Sequence, residues 1–312
     1  MTHLTLTARR RLAALLGGSV VLLTACQNAG TAAPGPAGVP PSASQPASTP
    51  ATAATAAGLT TRQRLDLLAS AISTAPADTT AGLPYTYLHL QTWARATNTI
   101  VRTDVRRWRK DADGSGREII RRAPDLRGVN HHPTAEERQE LSRAAPQSVH
   151  HGINQLHPYL PEDIPAEPRE LARLLAPPAL VDEPAYPRIL TSGVVGLATS
   201  QHLDSRQRAT TLRVLAAVPD ITYRGTTTDL AGRTGLAFQV TADGSTSTLV
   251  IDPATGELLA AKEWIDGGRR PGLFSYSLLL DNGRASSTDE PTSPTAAAAA
   301  TPCGDMPTGR RT

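Results

Sequence analysis

The sequence lacks the short motifs by which several classes of enzyme are recognised. It contains no Gly-x-Ser-x-Gly motif, which α/β-hydrolases use to expose a nucleophilic serine. It contains no His-Glu-x-x-His pair of zinc ligands, and no phosphate-binding glycine loop follows a predicted strand. These absences argue against a serine hydrolase, a zinc metalloprotease and a P-loop enzyme. We therefore expect a non-enzymatic protein with no catalytic residues, no cofactor and no metal.

Cysteine is scarce, and the first of the two cysteines ends an N-terminal apolar run. The run from Leu12 to Leu23 follows Arg9-Arg10-Arg11 and is too short to span a bilayer comfortably. It leads into Leu23-Thr24-Ala25-Cys26, which resembles the lipobox of bacterial lipoproteins, whose cysteine becomes the lipidated first residue. The alternative is an ordinary secretory signal that merely contains a cysteine.

The lipobox interpretation predicts both an anchor and a location. Residues 1–25 would be a signal peptide, and Cys26 would carry a diacylglyceryl group with or without an added N-acyl chain. Two acyl chains give durable anchoring, so we expect the protein at the outer face of the cell membrane. Cys303 is then left without a partner in the same chain, and the fold must be held by an apolar core.

Lysine is almost absent, and the net charge is small. Lys110 and Lys262 are the only lysines, and the 31 basic residues exceed the 28 acidic ones by three. The predicted signal peptide holds three of the arginines, so the mature chain would carry 28 charges of each sign. A neutral chain has no global field to attract nucleic acid, and we expect no nucleic-acid partner.

Composition divides the mature chain into three parts. Residues 26–60 hold the lipidated cysteine and a stretch of Ala, Pro, Ser, Thr and Gly, which predicts a disordered tether. Residues 286–312 are similar and predict a disordered tail. Every aromatic residue lies between Tyr85 and Tyr276, so residues 61–285 are predicted to form a single domain with one core.

Hydrophobic periodicity and turn residues predict an α+β fold. Helical spacing indicates five helices, near 61–72, 135–144, 167–175, 189–197 and 205–218. Alternation indicates three strands in the first half, Tyr85–Trp93, Thr99–Arg109 and Arg117–Arg122. Five more strands separated by hairpin turns follow as a meander, at 221–228, 234–242, 246–252, 257–265 and 272–280. We expect a curved, mostly antiparallel sheet of about eight strands with helices packed on one side.

Several segments together resemble a known family. They are the strands with Tyr85 and Trp108, Leu160-Pro161-Glu162-Asp163 before a helix, and the turn Asp252-Pro253-Ala254-Thr255-Gly256. In these the chain resembles an uncharacterised actinobacterial family of membrane-anchored extracytoplasmic proteins. More distantly, a helix packed in an open curved sheet is similar to LolA-type and LppX-type lipid carriers and to RseB-type sigma-factor regulators. That similarity implies a half-barrel that holds acyl chains.

Two polar clusters invite a metal-site interpretation, and both have simpler explanations. The histidines of the middle segment match no defined metal-site spacing and are typical of exposed loops; they are His131, His132, His150, His151 and His157. Asp111-x-Asp113-Gly114 lacks the further acidic ligands of a calcium loop, so we expect a hairpin turn there.

Aromatic side chains on the predicted strands have two interpretations. They either fill the core between sheet and helices, or line an apolar cavity for a ligand. The candidate lining residues are Tyr85, Tyr87, Trp93, Trp108, Phe238 and Trp264.

The predicted function follows from the anchor, the missing motifs and the half-barrel similarity. We expect non-enzymatic binding or sensing of a lipid or an envelope protein, with a link to sigma-factor signalling as one route. The first alternative is a lipid carrier, and the second is an envelope hydrolase.

Overall fold

Nine strands and five α-helices form the part of the chain that the computed structural model describes, residues 58–75, 82–160 and 163–289. The strands are β1 (Tyr85–Ala96), β2 (Thr99–Lys110), β3 (Gly116–Arg127), β4 (Gln147–His151), β5 (Thr222–Thr228), β6 (Thr234–Ala242), β7 (Ser245–Ile251), β8 (Leu258–Ile265) and β9 (Gly272–Ala285). The helices are α1 (Thr61–Ser73), α2 (Ala135–Arg143), α3 (Pro168–Leu175), α4 (Tyr186–Ala198) and α5 (Ser205–Ala216). The predicted α+β class is confirmed.

All nine strands belong to one open antiparallel sheet in the order β4-β3-β2-β1-β9-β8-β7-β6-β5. The sheet consists of two meanders that meet where β1 pairs with β9, with Trp93 opposite Tyr276. The predicted C-terminal five-stranded meander is confirmed. The expected number of about eight strands was one too low because the edge strand β4 was assigned to a loop.

Bulges interrupt the register at several points in the sheet. Register shifts occur between His89 and Leu90 on β1 and between Glu263 and Trp264 on β8, among others. Such bulges increase the local twist of a sheet and bend the bulged strand. One bulge therefore falls where the two meanders join.

Capping residues mark where α1 and α5 begin. Thr60 accepts a hydrogen bond from the backbone of Gln63, and the Gln63 side chain bonds back to the Thr60 backbone. Asp204 and Gln207 form the same capping box at the start of α5. Both boxes satisfy backbone donors that a helix start leaves unpaired, which explains why the sequence predicted these two starts closely.

Helices cover both faces of the sheet unequally. α1, α3, α4 and α5 bury their apolar side chains in one cluster with Leu236, Phe238 and Ile251, on the face we call the helix face. α2 packs on the other face, where Leu141 joins Trp93 and neighbouring side chains. The expectation that helices pack on one side therefore holds for four helices, and α2 is the exception.

Candidate ligand-binding cleft

The aromatic residues proposed as a ligand lining are distributed over separate parts of the core. Tyr87 and Trp108 stack with ring centroids 5.0 Å apart, in a small cluster with Tyr85. Trp93 makes an edge contact with Tyr276 at 5.6 Å in a second cluster.

The remaining two candidates lie on opposite faces of the sheet. Trp264 stacks on His132 with centroids 4.5 Å apart, whereas Phe238 is fully buried on the helix face against Tyr223. The six rings therefore do not surround a common cavity. The structure places them in packed clusters, which corresponds to the first of the two interpretations made from the sequence.

A cleft of a different composition lies between the helices and the sheet, and we call it the apolar cleft. Its volume is about 450 Å³ when the open solvent at its mouth is counted. Eight of the side chains that line it are apolar: Val194, Ala198, Leu203, Leu212, Leu215, Ile251, Leu258 and Leu279. Each of these eight is at least nine-tenths buried.

Local chain geometry creates the cleft. α4 ends at Ala198 and α5 begins only at Ser205, so the connection between them forms part of one wall. The β7–β8 turn brings Gly256 to the opposite wall with φ +69°. A Cβ on Gly256 would overlap Cδ1 of Ile72, so a side chain at this turn would crowd the helices beside the cleft.

Polar groups contribute to the lining as well. Arg208 donates from Nε to the Thr255 carbonyl at 2.9 Å and from Nη1 to the Leu203 carbonyl at 2.5 Å. Its Nη1 also lies 3.3 Å from the carboxylate of Glu257. These contacts use Nε and Nη1 of the guanidinium.

Two amides and the hydroxyl of Thr211, which donates to the Gln207 carbonyl at 2.8 Å, complete the polar part of the lining. Asn282 Oδ1 lies 2.7 Å from Nδ1 of His202. Gln201 Oε1 is buried and has no hydrogen-bond partner among the described residues. A buried acceptor without a partner is uncommon in native structures, and this one belongs to a residue that lines the cleft.

A buried polar network lies on the opposite face of the sheet. Asp104 on β2 is completely buried, and its two oxygens lie 2.9 Å from His89 Nε2 and 2.8 Å from Gln91 Nε2. Because both partners belong to β1, the network ties the two strands together. Burial raises the pKa of the neighbouring Tyr87, and the negative charge of Asp281 raises it further.

Sequence reasoning did not identify this network. The only signal was the alternation of His89 and Gln91 along β1, which does not by itself show that Asp104 lies opposite Gln91.

Two of the histidines of the middle segment have acidic partners, each a different one. His151 Nε2 lies 3.0 Å from Glu118, and His131 Nε2 lies 2.7 Å from Glu137. Among the described residues no group of three or more potential ligands could hold a metal ion.

The Asp111–Gly114 segment forms the β2–β3 turn, as predicted. Asp113 Oδ1 accepts hydrogen bonds from the backbone and the hydroxyl of Ser115. These bonds, together with one from Lys110, lower the pKa of Asp113 to about 2. The carboxylate therefore stabilises the β2–β3 turn.

The anchor prediction concerns residues that lie outside the described part of the chain. These are the signal peptide, the lipobox residues Leu23, Thr24 and Ala25 with Cys26, and also Cys303. In the ranges that are described, no helix combines the length and apolar character needed to cross a membrane.

Comparison with known proteins gives no assignment. No protein-family model matches the chain, and no curated protein matches it either.

Proposed function

We propose that this protein is a membrane-anchored extracytoplasmic lipoprotein that binds the apolar chain of a lipid without catalysing a reaction. The observation that carries the proposal is the apolar cleft, in which eight apolar side chains form most of the lining. Clefts of this kind, mostly apolar with a few placed polar groups, are the usual form of small-molecule sites.

The sequence supports the proposed location at the membrane, and the structure supports the proposed lipid-binding site. The lipobox-like segment ending at Cys26 would hold the domain close to a membrane, where lipids are the most abundant apolar molecules. The distant similarity to LolA-type proteins supports the same class of ligand, although fold similarity alone does not fix function.

Native mass spectrometry with lipid extraction tests this proposal. The full chain carrying Cys26→Ser, which removes the predicted lipidation site, is produced in a bacterial host. We expect a 1:1 adduct that releases an extractable lipid. A clean apo mass that persists after lipid is added would contradict the proposal.

Two variants locate the adduct. Ala198→Phe places a ring in the cleft and should abolish the adduct, and the milder Ala198→Val should weaken it. Leu174→Phe enlarges a side chain that is 44% exposed on α3 and lies outside the cleft lining, so it should retain the adduct. Thermal melting of each variant confirms folding, and an adduct that survives in folded Ala198→Phe would place the lipid elsewhere.

A carrier and a sensor differ in how the ligand exchanges. Transfer of the bound lipid between donor and acceptor vesicles would identify a carrier of the LolA or LppX type. Retention of the lipid, together with crosslinking of the protein to an envelope partner, would identify a sensor.

A further inference from the structure

We infer that four arginines at one end of the sheet dock the domain on the anionic phosphates of a membrane surface. They are Arg95, Arg127, Arg269 and Arg270, and we call the surface that they form the arginine corner. The inference rests on the membrane anchorage in the proposed function, and it does not depend on the apolar cleft.

Three segments of the chain meet in the arginine corner: the β1–β2 turn, the residues after β3 and the β8–β9 turn. The backbone N–H of Gly128 donates to the Asn98 carbonyl at 2.8 Å, and that of Leu273 donates to the Val129 carbonyl at 2.7 Å. Arginines that are far apart in the sequence are therefore held in one place by backbone hydrogen bonds.

Two of the arginine side chains reinforce the corner. Arg95 donates from Nε to the Leu273 carbonyl at 2.8 Å and from Nη1 to the Arg270 carbonyl at 3.0 Å. Arg270 Nη1 lies 3.4 Å from the Thr97 carbonyl. These contacts fix the β8–β9 turn against the β1–β2 turn without neutralising either guanidinium.

No carboxylate offsets the positive charge within the corner. Its segments contain four arginines and no aspartate or glutamate; they are residues 95–99, 127–130 and 267–273. The acids next to these segments in the sequence have partners elsewhere, because Asp125 pairs with Arg122 at 3.0 Å and Asp266 accepts from the Thr246 hydroxyl at 2.6 Å. None of the four arginines forms an ion pair with a described residue.

The positive charges of Arg95 and Arg270 act on each other. Burial lowers the pKa of Arg95, and the charge of Arg270 lowers it further. Nη2 of Arg95 is buried and has no hydrogen-bond partner among the described residues. Since like charges without a counterion repel each other, the corner favours an anion from outside the protein.

The position of the predicted tether supports the membrane as the source of that anion. β5 begins at the end of the sheet where β6 and β8 finish, which is the end that carries the β8–β9 turn. Thr61 Oγ1, at the start of α1, accepts from the backbone N–H of Tyr223 on β5 at 2.9 Å. The predicted tether, residues 26–60, therefore joins the domain at the end that carries the arginine corner. Basic groups held close to a membrane are attracted by the phosphates of anionic lipids.

Cosedimentation with vesicles tests the inference. The predicted mature chain, residues 26–312 with Cys26→Ser, is used because the arginines and the apolar run of the signal peptide would themselves bind membranes. One set of vesicles consists of equal parts of phosphatidylglycerol and phosphatidylcholine, and the other of phosphatidylcholine alone. We expect preferential binding to the phosphatidylglycerol vesicles, with a preference that weakens as salt screens the charges. Equal binding to the two sets would overturn the inference.

Two matched double variants locate the contact. Arg127→Gln with Arg269→Gln removes two charges from the corner and should weaken binding to the phosphatidylglycerol vesicles about thirtyfold. Arg169→Gln with Arg206→Gln removes two charges from α3 and α5 and should leave binding unchanged. All four side chains are exposed and none forms an ion pair with a described residue. Thermal melting confirms that the variants fold, and an equal loss of binding in both would refute the assignment to the corner.

Two further measurements separate this inference from its alternatives. Tighter binding to polyglutamate than to the phosphatidylglycerol vesicles would overturn it in favour of an acidic protein partner. Native mass spectrometry of the corner variant should still show the lipid adduct. Loss of the vesicle preference in a protein that keeps the adduct would refute the inference alone, whereas absence of the adduct with the preference retained would refute lipid binding alone.

Discussion

The ion pair between Arg102 and Glu140 joins the sheet to α2 and predicts an unequal response to mutation. Arg102 is 1% exposed, whereas Glu140 is 49% exposed. Arg102 Nη1 lies 2.6 Å from the carboxylate, and its Nε and Nη2 donate to the carbonyl of Pro124 at 3.1 and 2.6 Å. Removing Glu140 leaves a buried cation, but removing Arg102 leaves a carboxylate that water can reach.

The size of the effect follows from this difference. A hydrogen bond to a charged group contributes about 1.5–3 kcal/mol, and breaking a fully buried pair costs about 3–5 kcal/mol. Because Glu140 is half exposed and Pro124 still accepts from Arg102, we expect Glu140→Ala to cost about 2 kcal/mol. Replacement of the buried cation by an apolar side chain of similar length is often close to neutral, so Arg102→Met should cost less than about 1 kcal/mol.

Urea denaturation of the two single variants and the double variant measures these differences. For a domain of this size, Glu140→Ala should lower the melting temperature by about 4–8 °C. The double variant should be no less stable than Arg102→Met alone, since the buried charge is then absent. If Arg102→Met were the more damaging single change, the assignment of the cost to the unpaired guanidinium would be refuted.

Three further predictions concern the turn at the cleft, a helix start and a buried phenol. Gly256→Ala should destabilise the fold by about 1–3 kcal/mol in urea, because φ is +69° and the new Cβ would overlap Ile72; unchanged stability would show that the turn relaxes. Asp204→Ala removes the acceptor for the Gln207 backbone and should cost about 1 kcal/mol by thermal melting, while Asp204→Asn should cost less. Burial raises the pKa of Tyr276 to about 12, above its unfolded value of about 10. The neutral phenol therefore contributes to the free energy of unfolding, and this contribution is complete below pH ~10 and is lost as the pH rises through ~12. Tyr276→Phe should reduce the loss of stability between these pH values, and an equal pH dependence of stability in both proteins would refute this prediction.

The C-terminal hairpins could be predicted because their turns have specific backbone requirements. Asp243 and Gly244 both adopt positive φ, +49° and +67°, as a two-residue type I′ turn requires. Asp229 accepts from the backbone of Ala231 and of Arg233, which is the turn chemistry expected of Asp. These local signals placed the strand ends at the hairpins to within a residue or two, whereas β9 continues to Ala285, five residues beyond its predicted end.

β4 could not be predicted because its sequence carries no strand pattern. Its five residues, Gln147–His151, include one apolar side chain, Val149, and none of the five is buried. The strand forms because its backbone pairs with β3, where Gly116 lies opposite His151. Pairing of this kind is a tertiary effect that periodicity does not report.

The apolar cleft could not be predicted from the sequence, for a related reason. Its lining comes from three distant segments, 194–215, 251–258 and 279–282, and its leucines are indistinguishable in sequence from those of the packed core. The aromatic residues drew attention because they are few, but they pack against one another. Only the three-dimensional arrangement shows where packing is left incomplete.

Photocrosslinking shows directly whether the apolar cleft holds the lipid chain. A monoacylglycerol with a diazirine near the end of its chain is bound to the full chain with Cys26→Ser, irradiated, and the labelled residues are mapped by mass spectrometry. We expect saturable labelling of cleft residues such as Val194, Leu215 and Ile251. Saturable labelling confined to the opposite face, around Tyr87 and Trp108, would contradict it.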